Sequence, residues 1–241
     1  MLSSKRVLPE IEFRQASIAA DVSSLAPVGR ETLQDQVYQQ LRQALMAGRF
    51  RPGQALTLRS MSEALGVSHM PVRGALHRLE AEGALGSPAN GRTLIIPELR
   101  VKGMEELRDI RIELEGLAAE RAAERVTADE LALIEERVRL MEAAARKGDI
   151  EAYIRENWAF HTAVYRASHM EQLLAIIEGL WLRIGPYVRL MMPDRDAMIH
   201  SMPNHHDIFS ALGRRDAKAA RRSIAADISE SGAHLREVLK A

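Results

Sequence analysis

The sequence predicts a mainly α-helical protein with two parts, an N-terminal winged helix-turn-helix and a C-terminal antiparallel all-α helical bundle. Residues 59–85 place two short amphipathic stretches on either side of a turn centred on Gly66, which is the pattern of a helix-turn-helix. Asn90-Gly91 lies between two short apolar runs and indicates a small β-hairpin, or wing. Beyond residue 103, apolar residues recur with the helical period of about 3.6.

Composition narrows the class of protein. The 241 residues contain no Cys, which rules out disulfide frameworks and thiolate chemistry and fits a reducing cytoplasm. No apolar run approaches the ~18 residues of a membrane span, so no membrane partner is expected. The net charge is zero, but residues 29–97 carry 8 Lys and Arg against 5 Asp and Glu, whereas residues 98–241 carry 22 against 25. The basic excess therefore falls in the predicted winged helix.

The N-terminal elements follow from local signals. The expected order is a mostly disordered arm over 1–28, then a domain over 29–97 with a helix over 33–45, a turn over 51–54 and the helix-turn-helix. Ser68 is expected to be the N-cap of the second helix of the helix-turn-helix. Val72, Leu76 and Leu79 then form one buried stripe.

The opposite face of that second helix is polar. It carries His69, Arg73 and His77, with Met70 beside them. Helix-turn-helix proteins present such a face to base edges and phosphates in the major groove of DNA. The alternative that these residues leave open is a surface helical hairpin in an ordinary all-helical protein.

The wing is predicted to follow the helix-turn-helix. Residues Ala84–Pro88 and Thr93–Pro97 are expected to pair as its two strands. Arg92 then lies at the tip, from which it can reach the phosphate backbone or the minor groove.

The C-terminal part, over 104–241, is predicted to be a bundle of six helices that follows a linker over 98–103. Thr127 and Glu130 form a capping box that opens the second of these helices. Leu107, Ile110 and Leu114 are expected to form part of the buried stripe of the first. The helices are expected over about 102–126, 128–147, 150–167, 170–188, 204–213 and 216–239, with 191–203 interrupted by Pro193 and Pro203.

Four residues of the bundle form a candidate metal site. Asn157 and His161 are four positions apart on one helix, so their side chains lie on the same face. His205 opens the predicted fifth helix, and Asp227 lies midway along the sixth. Two imidazoles, an amide oxygen and a carboxylate can hold a divalent ion inside a bundle. A polar pair that decorates the surface or is hydrogen-bonded in the core is the alternative.

Residues 31–97 resemble the DNA-binding domain of GntR-family transcription regulators. The matching stretches are Leu-Arg-Gln-Ala-Leu-Met-Ala-Gly-Arg-Phe-Arg-Pro-Gly (41–53), Met-Ser-Glu-Ala-Leu-Gly-Val-Ser (61–68), Pro-Val-Arg (71–73), Ala-Leu-His-Arg-Leu-Glu-Ala-Glu-Gly (75–83) and the wing glycine. The resemblance implies DNA contacts by Arg59, Ser68, His69, Met70, Arg73 and Gly91. Most family members have Arg in place of His69, and Arg can grip guanine bidentately. The operator is therefore expected to differ from the usual half-site, or the affinity to depend more on Arg59 and Arg73.

Residues 104–236 resemble the FCD effector domain of the FadR subfamily of these regulators. The resemblance lies in Glu-Leu-Arg-Asp-Ile-Arg-Ile-Glu-Leu-Glu-Gly-Leu-Ala-Ala-Glu (106–120), Asn-Trp-Ala-Phe-His (157–161) and His-His-Asp-Ile-Phe-Ser-Ala-Leu-Gly-Arg-Arg-Asp-Ala (205–217). Many such domains bind a metal through Asp or Asn, a His four residues on and two later His. Asn157, His161 and His205 match the first three positions, and Asp227 stands where the family usually has the last His. The resemblance implies a site for Zn²⁺, Mn²⁺ or Ni²⁺, or a metal-free polar cavity if the departure weakens it.

The same resemblance implies a small organic acid as effector. Members of the subfamily commonly sense small carboxylates, which can join a metal ion or meet a guanidinium. Arg111 matches a recurring family Arg and is the first candidate to bind the anion. Arg183 and Tyr187, four positions apart on the fourth bundle helix, are the next candidates.

These features together predict a homodimeric, ligand-responsive transcription regulator, with repression as the commoner mode in the family. Two alternatives from other classes remain. A metal-dependent hydrolase is disfavoured because no His-Glu-x-x-His motif, phosphate loop or activated nucleophile is present in the sequence. An effector-independent DNA-binding protein is disfavoured by the long bundle without a basic excess, since nonspecific binders gain from positive charge throughout.

Overall fold

The computed structural model of the protein describes residues 32–87 and 93–240. The predicted arm over 1–28 and the wing-tip residues Gly91 and Arg92 lie outside the described residues. The helices are α1 (Leu33–Met46), α2 (Leu58–Leu65), α3 (His69–Ala81), α4 (Val101–Arg125), α5 (Ala128–Lys147), α6 (Ile150–Arg166), α7 (Glu171–Ile184), α8 (Val188–Met191), α9 (Arg195–Gly213) and α10 (Ala217–Lys240), with strands β1 (Ala55–Leu56) and β2 (Leu94–Ile95). The predicted fold class, a winged helix-turn-helix followed by a helical bundle, is confirmed.

The helix-turn-helix is built as its sequence predicts. Gly66 ends α2 in the left-handed region at φ 66°, where a residue without Cβ is favoured. The stripe on α3 is fully buried against α1, with Val72 and Leu79 both at 0% exposure. Tyr38 on α1 donates a hydrogen bond to Glu82 at 2.7 Å, and the Arg78 guanidinium lies 3.7 Å from the Tyr38 ring. The burial of one face of α3 leaves the other face free.

The small sheet differs from the prediction. Strand β2 pairs antiparallel with β1, through Ala55 opposite Ile95, and the described residues 84–87 of the predicted partner run contribute an isolated bridge between Gly86 and Ile95. The cause is the turn over 51–54, after which the chain extends and the Gln54 carbonyl accepts from the Ile96 N–H at 3.0 Å. Two-residue strands are too short to show alternation, so β1 could not be recognised from sequence.

The bundle is built mainly from long helices packed side by side. Helix α10 lies along α4, and α5 packs on both α6 and α9. The capping box at Thr127 is present, with its side chain accepting from Glu130 N and Glu130 reaching back to Thr127 N. Asp149 and Asp216 accept backbone hydrogen bonds at the starts of α6 and α10. Within the described ranges, no helix is long and apolar enough to cross a membrane.

The buried face of α4 is rotated from the predicted stripe. Ile110 is 40% exposed and Leu114 is only half-buried, whereas Arg111 and Glu115 point into the core. The apolar period failed here because a charged pair occupies two inward positions of this helix. Helix α4 also begins at Val101, so the last three residues of the predicted linker are helical.

Two further predicted helix boundaries were wrong. Helix α9 begins at Arg195 because Asp194 caps it by accepting from Ala197 N at 2.9 Å, and Pro203 lies inside the helix on its exposed side. The predicted interruption over 191–203 is therefore much shorter. The predicted helix over 170–188 ends at Ile184 and continues as a short 3₁₀ helix, Gly185–Tyr187, before α8. Pro186 in that turn has no N–H for a continuous α-helix.

The winged helix packs directly on the bundle, and both belong to one compact unit that begins at Leu33. Helix α1 contacts α7 and the 3₁₀ helix. A Cβ on Gly185 would lie 2.8 Å from the Cα of Met46, so only glycine permits this approach. The Tyr187 hydroxyl donates to the Pro97 carbonyl at 3.0 Å and accepts from the Leu99 N–H at 2.5 Å. It thereby fastens the connection between the two parts to the bundle.

Candidate nucleic-acid interface and metal centre

A cleft of about 620 Å³ opens between the start of α2, the outer face of α3 and strand β2. Arg59, His69, Arg73 and His77 line this cleft, and all four are exposed. Arg59 pairs with Glu63 at 2.9 Å, but so exposed an ion pair contributes little and leaves the guanidinium available. The structure therefore brings together three of the residues that the sequence assigned to DNA contact.

Two more of those residues lie at the first turn of α3. Ser68 is the N-cap residue, but its hydroxyl makes no capping hydrogen bond and is exposed to solvent. Met70 is 69% exposed, which is unusual for a large apolar side chain. An exposed apolar group on such a helix suits contact with a thymine methyl group.

The second site lies in the bundle, where three helices converge. Asn157 and His161 come from α6, His205 from α9 and Asp227 from α10. A nitrogen of each imidazole and an oxygen of Asp227 all lie within 4.8 Å of one another. The Asn157 Oδ1 atom lies 3.0 Å from Nε2 of His205. All four predicted ligands are thus brought to one point.

The hydrogen bonds of His205 orient its lone pair towards that point. Its Nδ1 lies 2.9 Å from the Ser201 carbonyl oxygen, which can only accept, so Nδ1 carries the proton. In the neutral ring, Nε2 then has a lone pair that faces Oδ1 of Asn157 and, at 3.9 Å, a carboxylate oxygen of Asp227. Three acceptors that converge without a donor between them are the arrangement that a cation satisfies.

His161 is oriented in the same way through two further residues. The Tyr165 hydroxyl donates to the Glu115 carboxylate and therefore accepts from Nδ1 of His161, at 3.1 Å. The Nε2 atom of His161 is left facing Asp227 at 3.5 Å. Both imidazoles thus present Nε2 lone pairs to the same carboxylate.

Burial sets the protonation states at this point. Burial lowers the pKa of His161 well below its ordinary value, and the nearby His205 and Arg111 lower it further. A neutral imidazole is the form that binds a metal. Burial also raises the pKa of Asp227, because the nearby His205 and Arg111 compensate its carboxylate charge only in part. A divalent cation would supply that compensation.

Glu115 and Tyr165, which were not predicted from the sequence, connect the candidate metal site to Arg111. Arg111 is 7% exposed and donates from Nε to Glu115 at 2.6 Å and from Nη2 at 3.2 Å. Burial alone would lower the pKa of Arg111, but the ion pair with Glu115 outweighs it, and the pKa is raised. The available signal was spacing, since Glu115 and Tyr165 each follow a candidate site residue by four positions.

Two other predicted effector residues lie elsewhere. Arg183 is exposed on α7, and the Tyr187 hydroxyl is engaged with the connection after β2. Arg111, by contrast, lines a cavity of about 30 Å³ together with all four candidate ligands. That space suits an ion or a water molecule and is too small for a whole organic acid, which must lie mainly outside it.

A larger cleft of about 440 Å³ adjoins this cavity. Met191, Met192, Asp227 and Ser231 line both spaces, so the cleft leads from solvent to the buried imidazoles. It runs between α9 and α10 and is large enough for a small metabolite. We refer to it below as the outer cleft.

Comparisons with known proteins agree with this architecture. Residues 33–95 match the model of bacterial regulatory proteins, gntR family, and residues 106–230 match the FCD domain. The HTH-type transcriptional regulator McbR of Escherichia coli (strain K12) is 35% identical over 193 residues, which are 79% of this chain and 86% of McbR. The solved structure of E. coli McbR/YncC has a TM-score of 0.80 at 32% identity and covers 87% of this chain and 99% of that chain. The galactonate operon transcriptional repressor of E. coli (strain K12) is 30% identical over 141 residues, 57% of this chain and 58% of the repressor.

A winged helix with an exposed, partly basic cleft, joined to a helical bundle with a buried polar centre, defines a DNA-binding transcription regulator. The chain belongs to the gntR family of bacterial regulatory proteins, and its C-terminal part is an FCD domain.

Proposed function

We propose that this regulator is a homodimeric repressor whose operator binding is controlled by a small carboxylate. The domain over 29–97 binds the operator, with Gly91 and Arg92 at the wing, and the domain over 104–241 binds the effector and the second subunit. The observation that carries the proposal is the convergence of two imidazole lone pairs, Asp227 and Asn157 beside the outer cleft. It acts in the cytoplasm, where small organic acids accumulate.

The donor set of the buried centre fits a divalent transition ion. Two neutral imidazoles and two oxygen ligands suit Zn²⁺, Mn²⁺ or Ni²⁺. The hydrogen bonds from each Nδ1 fix the rings before any ion arrives, as partners of metal-binding imidazoles commonly do. When bound, the ion supplies positive charge and open coordination positions for a carboxylate.

The effector is held from two sides. Its carboxylate reaches the centre from the outer cleft, past Met191 and Met192, whose flexible side chains can adapt to it. Arg111 is the second anion-binding group. Glu115 engages its Nε and Nη2, so Nη1 keeps its donors for a ligand.

Effector binding reaches the winged helix through α7. Trp181 on α7 lines the cavity of about 30 Å³ that holds the four candidate ligands, with its ring 5.0 Å from the Arg111 guanidinium. The same helix contacts α1 of the winged helix. A shift of α7 on effector binding therefore changes the population of domain arrangements, and with it the spacing of the two recognition helices in the dimer.

Repression is favoured by a relative, since the galactonate operon protein is named a transcriptional repressor. We propose binding rather than catalysis at the centre. Glu115, a buried carboxylate beside the centre, is held by Arg111 and Tyr165 and is poorly placed to act as a general base.

The test combines elemental analysis with gel shifts on DNA from the chain's own promoter. Purified wild-type protein is expected to contain about one divalent ion per chain and to give a sequence-specific shift. Asp227→Ala is expected to lose the ion. His206→Ala is the matched control, because it removes an exposed imidazole that lies outside the outer cleft, from the helix that carries His205.

Two results would contradict different parts of the proposal. If wild-type and Asp227→Ala proteins both lack metal after reconstitution with Zn²⁺, Mn²⁺ and Ni²⁺, the ion is wrong and the cavity is a metal-free polar one. If no operator-length fragment is shifted specifically, the control of an operator is wrong.

A further inference from the structure

A third cavity, of about 520 Å³, lies where the winged helix meets the bundle. One wall comes from α1 and the turn after it, and the other from α6 and α7. We call it the interdomain groove. Its lining residues are Gln39, Gln40, Arg42, Gln43, Ala44, Met46, Ala47, Arg49, Arg155, Trp158, Thr162, Arg166 and Glu178.

The side chains that line the groove are mainly basic. Four arginines and a single glutamate line it, although the protein has no net charge. Arg42 pairs with Glu178 at 2.7 Å across the two domains, and Arg155 pairs with Glu156. Arg49 and Arg166 are exposed and form no ion pair with any residue in 32–87 or 93–240. Two guanidinium groups, one from each domain, are therefore left without an anion.

Buried polar atoms in the walls also lack partners. The Nε of Arg42 and the Oγ1 of Thr162 are shielded from solvent and make no hydrogen bond within the described part of the chain. A buried donor without an acceptor is unfavourable, and such atoms are rare in folded proteins. Both residues line the groove, but these two atoms are closed to solvent, so a ligand in the groove is bound by the exposed guanidinium groups of Arg49 and Arg166 instead.

We propose that the interdomain groove binds a small polyanion of the phosphate-ester or polyphosphate class. Guanidinium groups match the geometry and charge of phosphate oxygens, and several of them around one cavity favour a ligand with two or more negative charges. A volume of about 520 Å³ accommodates a metabolite and is too small for a folded partner.

A ligand in this groove would join the two domains. It would bridge Arg49 of the winged-helix domain to Arg166 on α6 of the bundle. Such a bridge would restrict the movement of one domain against the other. Trp158 in the groove wall packs on Trp181 with ring centroids 4.8 Å apart, and Trp181 lies 5.4 Å from the His161 ring. The groove and the metal centre thus share a packed aromatic contact.

Titration with tripolyphosphate, followed by calorimetry at constant ionic strength, tests the site in the full-length protein. Wild-type protein is expected to bind one tripolyphosphate per chain. Arg49→Ala and Arg166→Ala are each expected to weaken binding about tenfold or more, because each removes a charge-assisted hydrogen bond. Both side chains are exposed, so folding is expected to be intact.

Two variants serve as controls. Arg146→Ala removes an exposed guanidinium from α5, outside the groove, and is expected to change the dissociation constant less than twofold. Asp227→Ala is expected to bind tripolyphosphate as wild-type does, which separates the groove from the metal centre and from removal of its ion by tripolyphosphate.

Three results would overturn the proposal. The first is the lack of saturable binding by wild-type protein, and the second is equal weakening by Arg146→Ala, which would mean general charge screening. The third is weaker operator binding by Arg49→Ala and Arg166→Ala without any binding of tripolyphosphate, which would make the groove a contact for the DNA backbone.

Discussion

The Nε2 atom of His205 lies 3.0 Å from Oδ1 of Asn157, while Nδ1 of the same ring donates its hydrogen bond to the Ser201 carbonyl. Two acceptors therefore face each other in a buried cavity. His161 repeats the arrangement through Tyr165, so the polar centre is organised by residues that do not reach it. We therefore expect the orienting residues, as well as the four candidate ligands, to control the affinity for the proposed ion.

Tyr165→Phe is expected to weaken metal binding by about 10–100-fold without abolishing it, because the ring of His161 loses the group that fixes its tautomer. Competition with a chromophoric chelator measures the affinity. His206→Ala is the control and is expected to bind the ion as wild-type does. Unchanged affinity of Tyr165→Phe would mean that the hydroxyl serves only Glu115.

Arg111→Met is expected to lower the free energy of unfolding by about 3–5 kcal/mol, because it leaves Glu115 buried without its cation. Urea denaturation of the metal-free protein measures the change. Adding Glu115→Leu is expected to recover much of the loss, since no buried charge then remains. Arg139→Met breaks an exposed pair with Glu136 and is the matched control, with no measurable effect expected. A loss as large in the control would show that ion pairing in general, and not burial, is responsible.

Sequence patterns predicted the fold well where local signals agree. The glycine stop at Gly66, the capping box at Thr127 and the buried stripe on α3 were all visible as short motifs with one physical meaning each. The pairing of β1 with β2 was not, because it joins residues about forty positions apart through two-residue strands. Pro203 was wrongly expected to interrupt the helix, because the packing of α9 on α5 and α10 outweighs the backbone hydrogen bond that the proline removes.

The sequence predicted which four residues come together in the buried polar centre, but not the contacts that organise them. Asn157 and His161 were found by spacing, whereas Glu115 was hidden because a charged residue in a helix is normally assigned to the surface. Its burial depends on Arg111 and Tyr165, which lie on two helices. Apolar periodicity alone could not place a buried ion pair, and for the same reason it misplaced Ile110.

Arg73→Ala is expected to abolish specific operator binding while leaving the melting temperature nearly unchanged, because the side chain is exposed on α3 and lines the cleft that we propose contacts DNA. Gel shifts on the chain's own promoter, together with thermal unfolding, provide the two measurements. Arg146→Ala is the control for lost surface charge. A large drop in stability would mean that Arg73 has a structural role and that its assignment to DNA contact is wrong.

The charges that line the outer cleft predict which group the effector carries at the end that lies far from the metal centre. Asp194, Asp196 and Glu230 line it with Asp227, and it has no Lys or Arg among its described lining residues. A ligand with a carboxylate at the metal centre therefore meets negative charge at its other end. Among six-carbon probes, 6-aminohexanoate is expected to bind about tenfold more tightly than adipate, with hexanoate between them.

Thermal shifts of the metal-loaded protein measure this series. Glu230→Gln is expected to reduce the difference between the two charged probes, and Asp227→Ala to abolish all three shifts. The largest shift with adipate would contradict the acidic-cleft argument, whereas no shift with any of the three would count against the carboxylate proposal itself.

Tyr187→Phe is expected to loosen the connection between the domains. The substitution removes the acceptor for the partly buried Leu99 N–H and the donor to the Pro97 carbonyl, so a loss of about 1 kcal/mol in stability is expected. Operator affinity is expected to fall several-fold, because two less constrained winged helices must be ordered on binding. Tyr153→Phe is the matched control. It removes a buried hydroxyl bonded to Ser201 inside the bundle, and it is expected to affect stability but leave operator affinity unchanged. Equal operator affinity for Tyr187→Phe and wild-type protein would mean that α1 and α7 alone set the arrangement of the domains.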